Sequence, residues 1–155
     1  MASEFVPWLV VPFLQRSLHD VAGTGHRIHW DEAAAIGARL ADALAGAHAA
    51  GLLHDRIDPT SVRFDAQGAA LLADLGVVEA LGAANVRGLT GDLRIAHCPP
   101  EVVAGRPTDA TSDLYSLASV LYEMVSGTPP FGSATGQDIA TLSNRIQHEV
   151  PASLT

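Results

Sequence analysis

The sequence predicts an α+β domain that is predominantly helical, and three observations carry that expectation. Ile36, Leu40, Leu44 and Ala47 recur at helical spacing. Leu114, Leu117, Leu121 and Val125 do the same farther along the chain. Between them, two apolar triplets, Val62-Arg63-Phe64 and Ala70-Leu71-Leu72, flank the turn-forming Asp65-Ala66-Gln67-Gly68 and read as a small β-hairpin.

In chain order, Phe5 to Leu14 reads as a short buried strand, Trp8-Leu9-Val10-Val11, that ends at Pro12. Gln15 to Val21 forms a short polar helix or turn, closed by Gly23-Thr24-Gly25. The first long helix begins at Trp30-Asp31-Glu32, with Asp31 as N-cap and acidic residues facing the positive end of the helix dipole. It runs to about Ala50 and stops at Gly51. Leu53 to Ser61 is a loop, followed by the hairpin. Residues 75–98 carry glycines and no sustained period, which predicts a long surface loop. Glu101 to Ala104 allows one helical turn. Ser112 to Ser126 is the second long helix, with its four apolar residues on one buried face. Gly127 stops it and Pro129-Pro130 forbids continuation. A last helix spans Gln137 to Gln147.

At 155 residues the chain is the size of one domain, and a hydrophobic fraction of 48% excludes a disordered polymer. No apolar run approaches the roughly 20 residues of a membrane span, and Met1-Ala2-Ser3-Glu4 lacks a basic signal-peptide start. The expected location is therefore cytoplasmic. A net charge of −8 argues against nucleic acid, whose phosphates require a basic face. The single cysteine, Cys98, forms no internal disulfide, and the seven histidines are scattered. All nine basic residues are arginines, so any chemistry that needs a lysine ammonium lies outside this chain.

The residues at the joints are more specific than the order of elements. His54-Asp55-Arg56-Ile57-Asp58-Pro59-Thr60-Ser61 resembles the catalytic loop H-R-D-x-K-P-x-N of protein kinases. Asp74-Leu75-Gly76 resembles D-F-G, and Pro99-Pro100-Glu101 resembles A-P-E. Asp113-Leu114-Tyr115-Ser116-Leu117-Ala118 is similar to the opening of that family's central large-lobe helix, and Gly127-Thr128-Pro129-Pro130-Phe131 to its ending. Five such motifs in order, across nearly the whole chain, resemble the large, C-terminal lobe of bacterial eukaryotic-like Ser/Thr protein kinases. The resemblance covers residues 1–155 as a partial domain, from the hinge strand to the helix after the central one. The small lobe, with its Gly-rich loop and lysine, is missing from it.

The resemblance implies a degenerate catalytic loop. Phosphoryl transfer depends on positioning and charge stabilisation. The position of the catalytic base is Arg56, a permanent cation. The position of the phosphoryl-neutralising lysine is Asp58, which repels an anion, and that of the magnesium-holding asparagine is Ser61. Arg63 stands where the family places the apolar floor under adenine, and here it is expected on a solvated strand face. Asp74 is the one remaining candidate metal ligand. The scaffold residues survive: His54, Glu101, which in the family pairs with an arginine of a later helix, and Asp113, expected to be buried and bonded to backbone around His54 to Arg56.

Three functions follow as alternatives. One is a catalytically inactive, pseudokinase-like lobe that binds a protein partner, or a missing small lobe, in signalling. Another is a fragment of a Ser/Thr kinase that binds magnesium and ATP and transfers phosphate. The third is a decayed product without a defined role. The apolar strand within residues 5–12, lacking its sheet neighbours, is expected either to be poorly ordered or to pair with another molecule, and the isolated chain to tend to self-associate.

Overall fold

The computed structural model describes residues 14–22, 27–77, 95–133 and 138–154. The expected strand at Trp8–Val11, the Gly23–Gly25 loop and most of the 75–98 loop lie outside these residues.

Two of the three strands, Val62–Phe64 and Ala70–Leu72, fall where the apolar triplets put them. β1 is Arg16–Ser17, β2 is Val62–Phe64 and β3 is Ala70–Leu72. They form one antiparallel sheet in the order β1-β2-β3, with Ser17 opposite Arg63 and Arg63 opposite Leu71. The Asp65 side chain turns the hairpin, its Oδ1 accepting from the N–H groups of Gln67 and Ala69 at 2.9 and 2.8 Å. Gly68 adopts φ 81° there, a conformation open to residues without a Cβ. β1 is an addition to the expected hairpin: only α1, Leu18–Ala22, is helical in the segment assigned to a helix or turn. Asp20 fixes this junction by accepting from the Ser17 N–H and hydroxyl at 2.8 and 2.7 Å.

The first long helix, α2, spans Trp30–Ala49. Its N-cap is His29 and not Asp31, which lies in the first turn and accepts from the His29 ring and the Glu32 N–H. Ala33, Gly37, Leu40, Leu44 and Ala47 form its buried face. After the one-turn helix α3, Pro100–Val103, comes α4, Ala110–Ser126. It starts two residues before the expected Ser112 because Asp109 caps it: the carboxylate accepts from the Thr111 and Ser112 N–H groups, and Ser112 Oγ accepts from the Asp109 N–H. Gly127, at φ 83°, closes it. The last helix, α5, is Ile139–His148.

The expected apolar face of α4 needs correction. Leu114 is 48% exposed, whereas Ser112, Asp113, Ser116, Leu117, Ser119, Val120 and Met124 are buried. The interior side of this helix is therefore partly polar. α2 and α4 pack directly, and Gly37 lets them close: a Cβ there would lie 2.7 Å from Leu121 Cδ1. Their contact centres one core, which holds Leu18, Leu40, Leu44, Ile57, Val62, Val120 and Met124. A second, smaller cluster of Ala96, Phe131, Leu142 and Ile146 ties α5 to the segment before α3. Among the described residues no helix is long and apolar enough to cross a membrane.

The cap of α4 makes an acid-dependent prediction. The Thr111 hydroxyl first, then the Thr111 and Ser112 N–H groups, hold the Asp109 carboxyl below its ordinary value of 3.8. A depressed folded value stabilises the native state above the unfolded pKa, and the contribution disappears as pH falls through the folded one. Urea midpoints measured from pH 6 down to 2 should fall less in Asp109→Asn than in the unmodified chain. Parallel curves would show that the cap carries no such linkage.

Candidate functional site

The candidate site is the loop between α2 and β2, and its position is set by Asp113. This carboxylate lies in the first turn of α4 and is 1% exposed. Oδ2 accepts from the His54 N–H and Oδ1 from the Asp55 N–H, both at 2.8 Å. The third partner, His48 Nε2, lies 2.8 Å from Oδ2 and comes from the last turn of α2. Three donors around one buried carboxylate compensate the loss of its water. His48 went unrecognised in the sequence, because a histidine 65 residues before its partner leaves no local pattern.

His54 is fully buried, and its ring continues the connection. Nε2 donates to the Ala73 carbonyl at 2.8 Å, so the loop is bonded to the residue just before Asp74. Ala73 in turn donates from its N–H to the Ser61 carbonyl at 2.8 Å. Asp55 and Asp74 both hold left-handed backbone, with φ 61° and 67°, uncommon for residues with a Cβ. Their flanks explain why this conformation persists: the Asp55 N–H is fixed by Asp113, and the Asp74 carbonyl accepts from Val77 N–H at 3.2 Å.

Asp58 and Ser61 are bonded to each other's turn. Asp58 is 4% exposed, and its Oδ1 accepts from the Thr60 N–H, the Thr60 hydroxyl and the Ser61 N–H at 2.6, 2.5 and 3.3 Å. Ser61 Oγ accepts from the Asp58 N–H at 3.1 Å and donates to the Asp58 carbonyl at 2.9 Å. The carboxylate set against an anion by the sequence pattern thus holds its own turn. Arg56 is half-buried in the same loop.

Arg63 occupies the middle strand and is half-buried, less open than a solvated face. Its charge reaches Asp20, whose carboxyl is held below its ordinary value chiefly by the Ser17 N–H and hydroxyl, with smaller contributions from His19 and Arg63. Asp74 is exposed. Among the described residues, no three His, Cys, Asp or Glu side chains gather to hold a metal ion. A magnesium ion bridging to phosphates needs one or two oxygen donors free to meet it. Ser61 Oγ is committed to the Asp58 backbone, which leaves Asp74 alone, so these side chains do not make a paired magnesium site.

Glu101 turns toward α4, where its Oε1 accepts from the Ser112 hydroxyl. Nearby, burial raises the Tyr115 hydroxyl above its ordinary value of 10.0, with Glu101 and Cys98 adding to the shift. One more cluster was not anticipated from the sequence. His97, 3% exposed, has Nδ1 2.9 Å from Ser119 Oγ and Nε2 2.9 Å from Glu123 Oε2. The glutamate contact is a close charge contact and not an aligned hydrogen bond, since Oε2 has no hydrogen-bond partner of good geometry. This joint fastens the segment before α3 onto α4.

The protein kinase domain profile matches residues 3–153, and the chain belongs to the protein kinase domain family. It is 38% identical over 136 residues to the serine/threonine-protein kinase PkaB of Streptomyces coelicolor, covering 80% of this chain and 31% of that protein. It is 30% identical over 152 residues to a probable serine/threonine-protein kinase PknB of Bifidobacterium longum, covering 96% of this chain and 22% of that protein. A probable serine/threonine-protein kinase of Clostridium perfringens is 28% identical over 137 residues, 87% of this chain and 20% of its own length. The chain therefore spans less than a third of each of these relatives.

Removing Asp113 should show how much the loop depends on it. Asp113→Ala leaves the His54 and Asp55 N–H groups without their acceptor, at about 1–3 kcal/mol for each. Asp113→Asn keeps an acceptor oxygen and should cost less. Chemical denaturation ranks the three proteins, and an alanine variant as stable as the unmodified chain would contradict the assignment.

Proposed function

We propose that this chain is a pseudokinase-like lobe: a protein kinase scaffold that does not transfer phosphate and works by binding protein. The observation that carries the reading is the Asp58–Ser61 turn. A phosphotransfer loop needs a cation facing the transferred group and an oxygen donor for metal at these positions. Here both side chains bond to their own turn. Arg56, at the base position, bears a permanent positive charge and accepts no proton. On this reading the contacts around Asp113 keep the lobe's shape while the loop lacks the chemical groups.

The full-length relatives named above are serine/threonine-protein kinases by name, and an active fragment is the competing reading. The exposed Asp74 is the feature that favours it, because a carboxylate there is free to meet a cation.

Two measurements separate these readings. Titration calorimetry with ATP and magnesium should give no heat of binding, and radiolabelled ATP should transfer no phosphate to a generic basic protein. Arg56→Asp should remain inactive, because the lysine and asparagine roles are absent as well. Transfer by the unmodified chain that Asp74→Ala abolishes would establish the active fragment instead.

A further inference from the structure

A cavity of about 400 Å³ lies at the hairpin end of the sheet, where β1, the end of α1, the start of α2 and the turn from Asp65 to Gly68 meet. The candidate loop joins the opposite end of β2, so the two places are distinct. Ile28 and Phe64 give the cavity an apolar floor: Ile28 is buried in the main core and Phe64 packs against it. Two exposed side chains of opposite charge line it as well, Arg16 on β1 and Glu32 in the first turn of α2. Among the described residues neither side chain has a hydrogen bond or ion pair, with the other or with a third group. Asp65 adds a second carboxylate, half-buried, whose Oδ1 already holds the turn.

We propose that this cavity binds a small zwitterion with an apolar body, of the size of a dipeptide. Its carboxylate meets Arg16, its ammonium meets Glu32, and its side chains rest on Ile28 and Phe64. The inference goes beyond the pseudokinase-like reading and does not depend on it. Three features select this ligand. A hollow of this volume with an apolar floor and a few convergent polar groups has the form of a small-molecule site. The forked guanidinium matches a carboxylate, and the carboxylate that shares the cavity with it accepts from an ammonium. A ligand with negative charge alone would be repelled by Glu32 and Asp65, and one with positive charge alone by Arg16, so both signs are needed. Arg16 and Glu32 line one cavity without bridging each other, which suits charges held at the two ends of a dipeptide.

The probe is leucyl-leucine, titrated calorimetrically at neutral pH beside its N-acetylated and C-amidated forms. The free dipeptide should bind with a Kd on the order of 0.1–1 mM, the range of a ligand this small. Each blocked form lacks one charge and should bind about tenfold more weakly. Arg16→Gln should weaken the free dipeptide and erase the penalty of C-amidation, while Glu32→Gln should erase the penalty of N-acetylation. Both positions are exposed, so the circular dichroism spectra of these variants should match that of the unmodified chain. Amide shifts in nitrogen-edited spectra should centre on Arg16, Ile28, Glu32 and Ala66. Equal binding of free and blocked dipeptides, penalties that survive both substitutions, shifts centred on His54 to Ser61, or no heat up to about 10 mM would overturn the proposal. ATP binding would refute the pseudokinase-like reading without touching the cavity, and silence of the dipeptide would do the reverse.

Discussion

Everything in this lobe that resembles a site depends on one carboxylate placed out of reach of water. Asp113 collects two backbone N–H groups from the loop and an imidazole from α2, and it stands on the helix around which the core is packed. A desolvated anion is tolerated only while its donors are in place, and buried N–H groups only while they have an acceptor. The constraint is mutual, so α2, α4 and the His54–Asp55 loop are fixed as a set. The left-handed backbone at Asp55 follows from it, because the bonded N–H leaves that residue little freedom to relax.

This arrangement is independent of phosphotransfer chemistry. None of the Asp113 partners lies at the base, lysine or asparagine position of the family's loop; those positions fall at Arg56, Asp58 and Ser61, a few residues on. The anchor of the loop is thus separate from the side chains at those positions. Asp58 and Ser61 form a local bonding pattern of their own, in which carboxylate and hydroxyl satisfy the turn's N–H groups. Both side chains thereby close the turn to which they belong.

The legible parts of the sequence were those with local causes. β2 and β3 could be placed because an Asp-initiated, Gly-closed turn separates two apolar triplets, and the end of α4 because Gly127 and two prolines follow it. The start of α4 also had a local signal, Asp109 three residues before Ser112, which the apolar spacing overshadowed. Leu114 was misplaced for a different reason. Hydropathy treats a helix's inner face as apolar, yet Ser112, Asp113 and Ser119 lie inside because their partners come from other segments. β1 is two residues long and exists only through its pairing with β2, so no periodicity could reveal it. For the candidate site, motif spacing identified the loop and Asp113, while His48, the Asp58–Ser61 closure and the His97 cluster are products of the fold.

The His97 joint bears on how this sequence can change over generations. Nδ1 of the His97 ring is hydrogen-bonded to the Ser119 hydroxyl, and Nε2 lies against the Glu123 carboxylate. Losing Ser119 alone takes the hydrogen-bond partner from the buried Nδ1, and losing His97 alone takes the facing ring from both the Ser119 hydroxyl and the Glu123 carboxylate. Apolar residues in place of His97, Ser119 and Glu123 together would be tolerated better than the loss of any one of them. The three positions therefore form an epistatic set separated by a fitness valley, and lineages carrying this joint should keep it whole or exchange its residues nearly together.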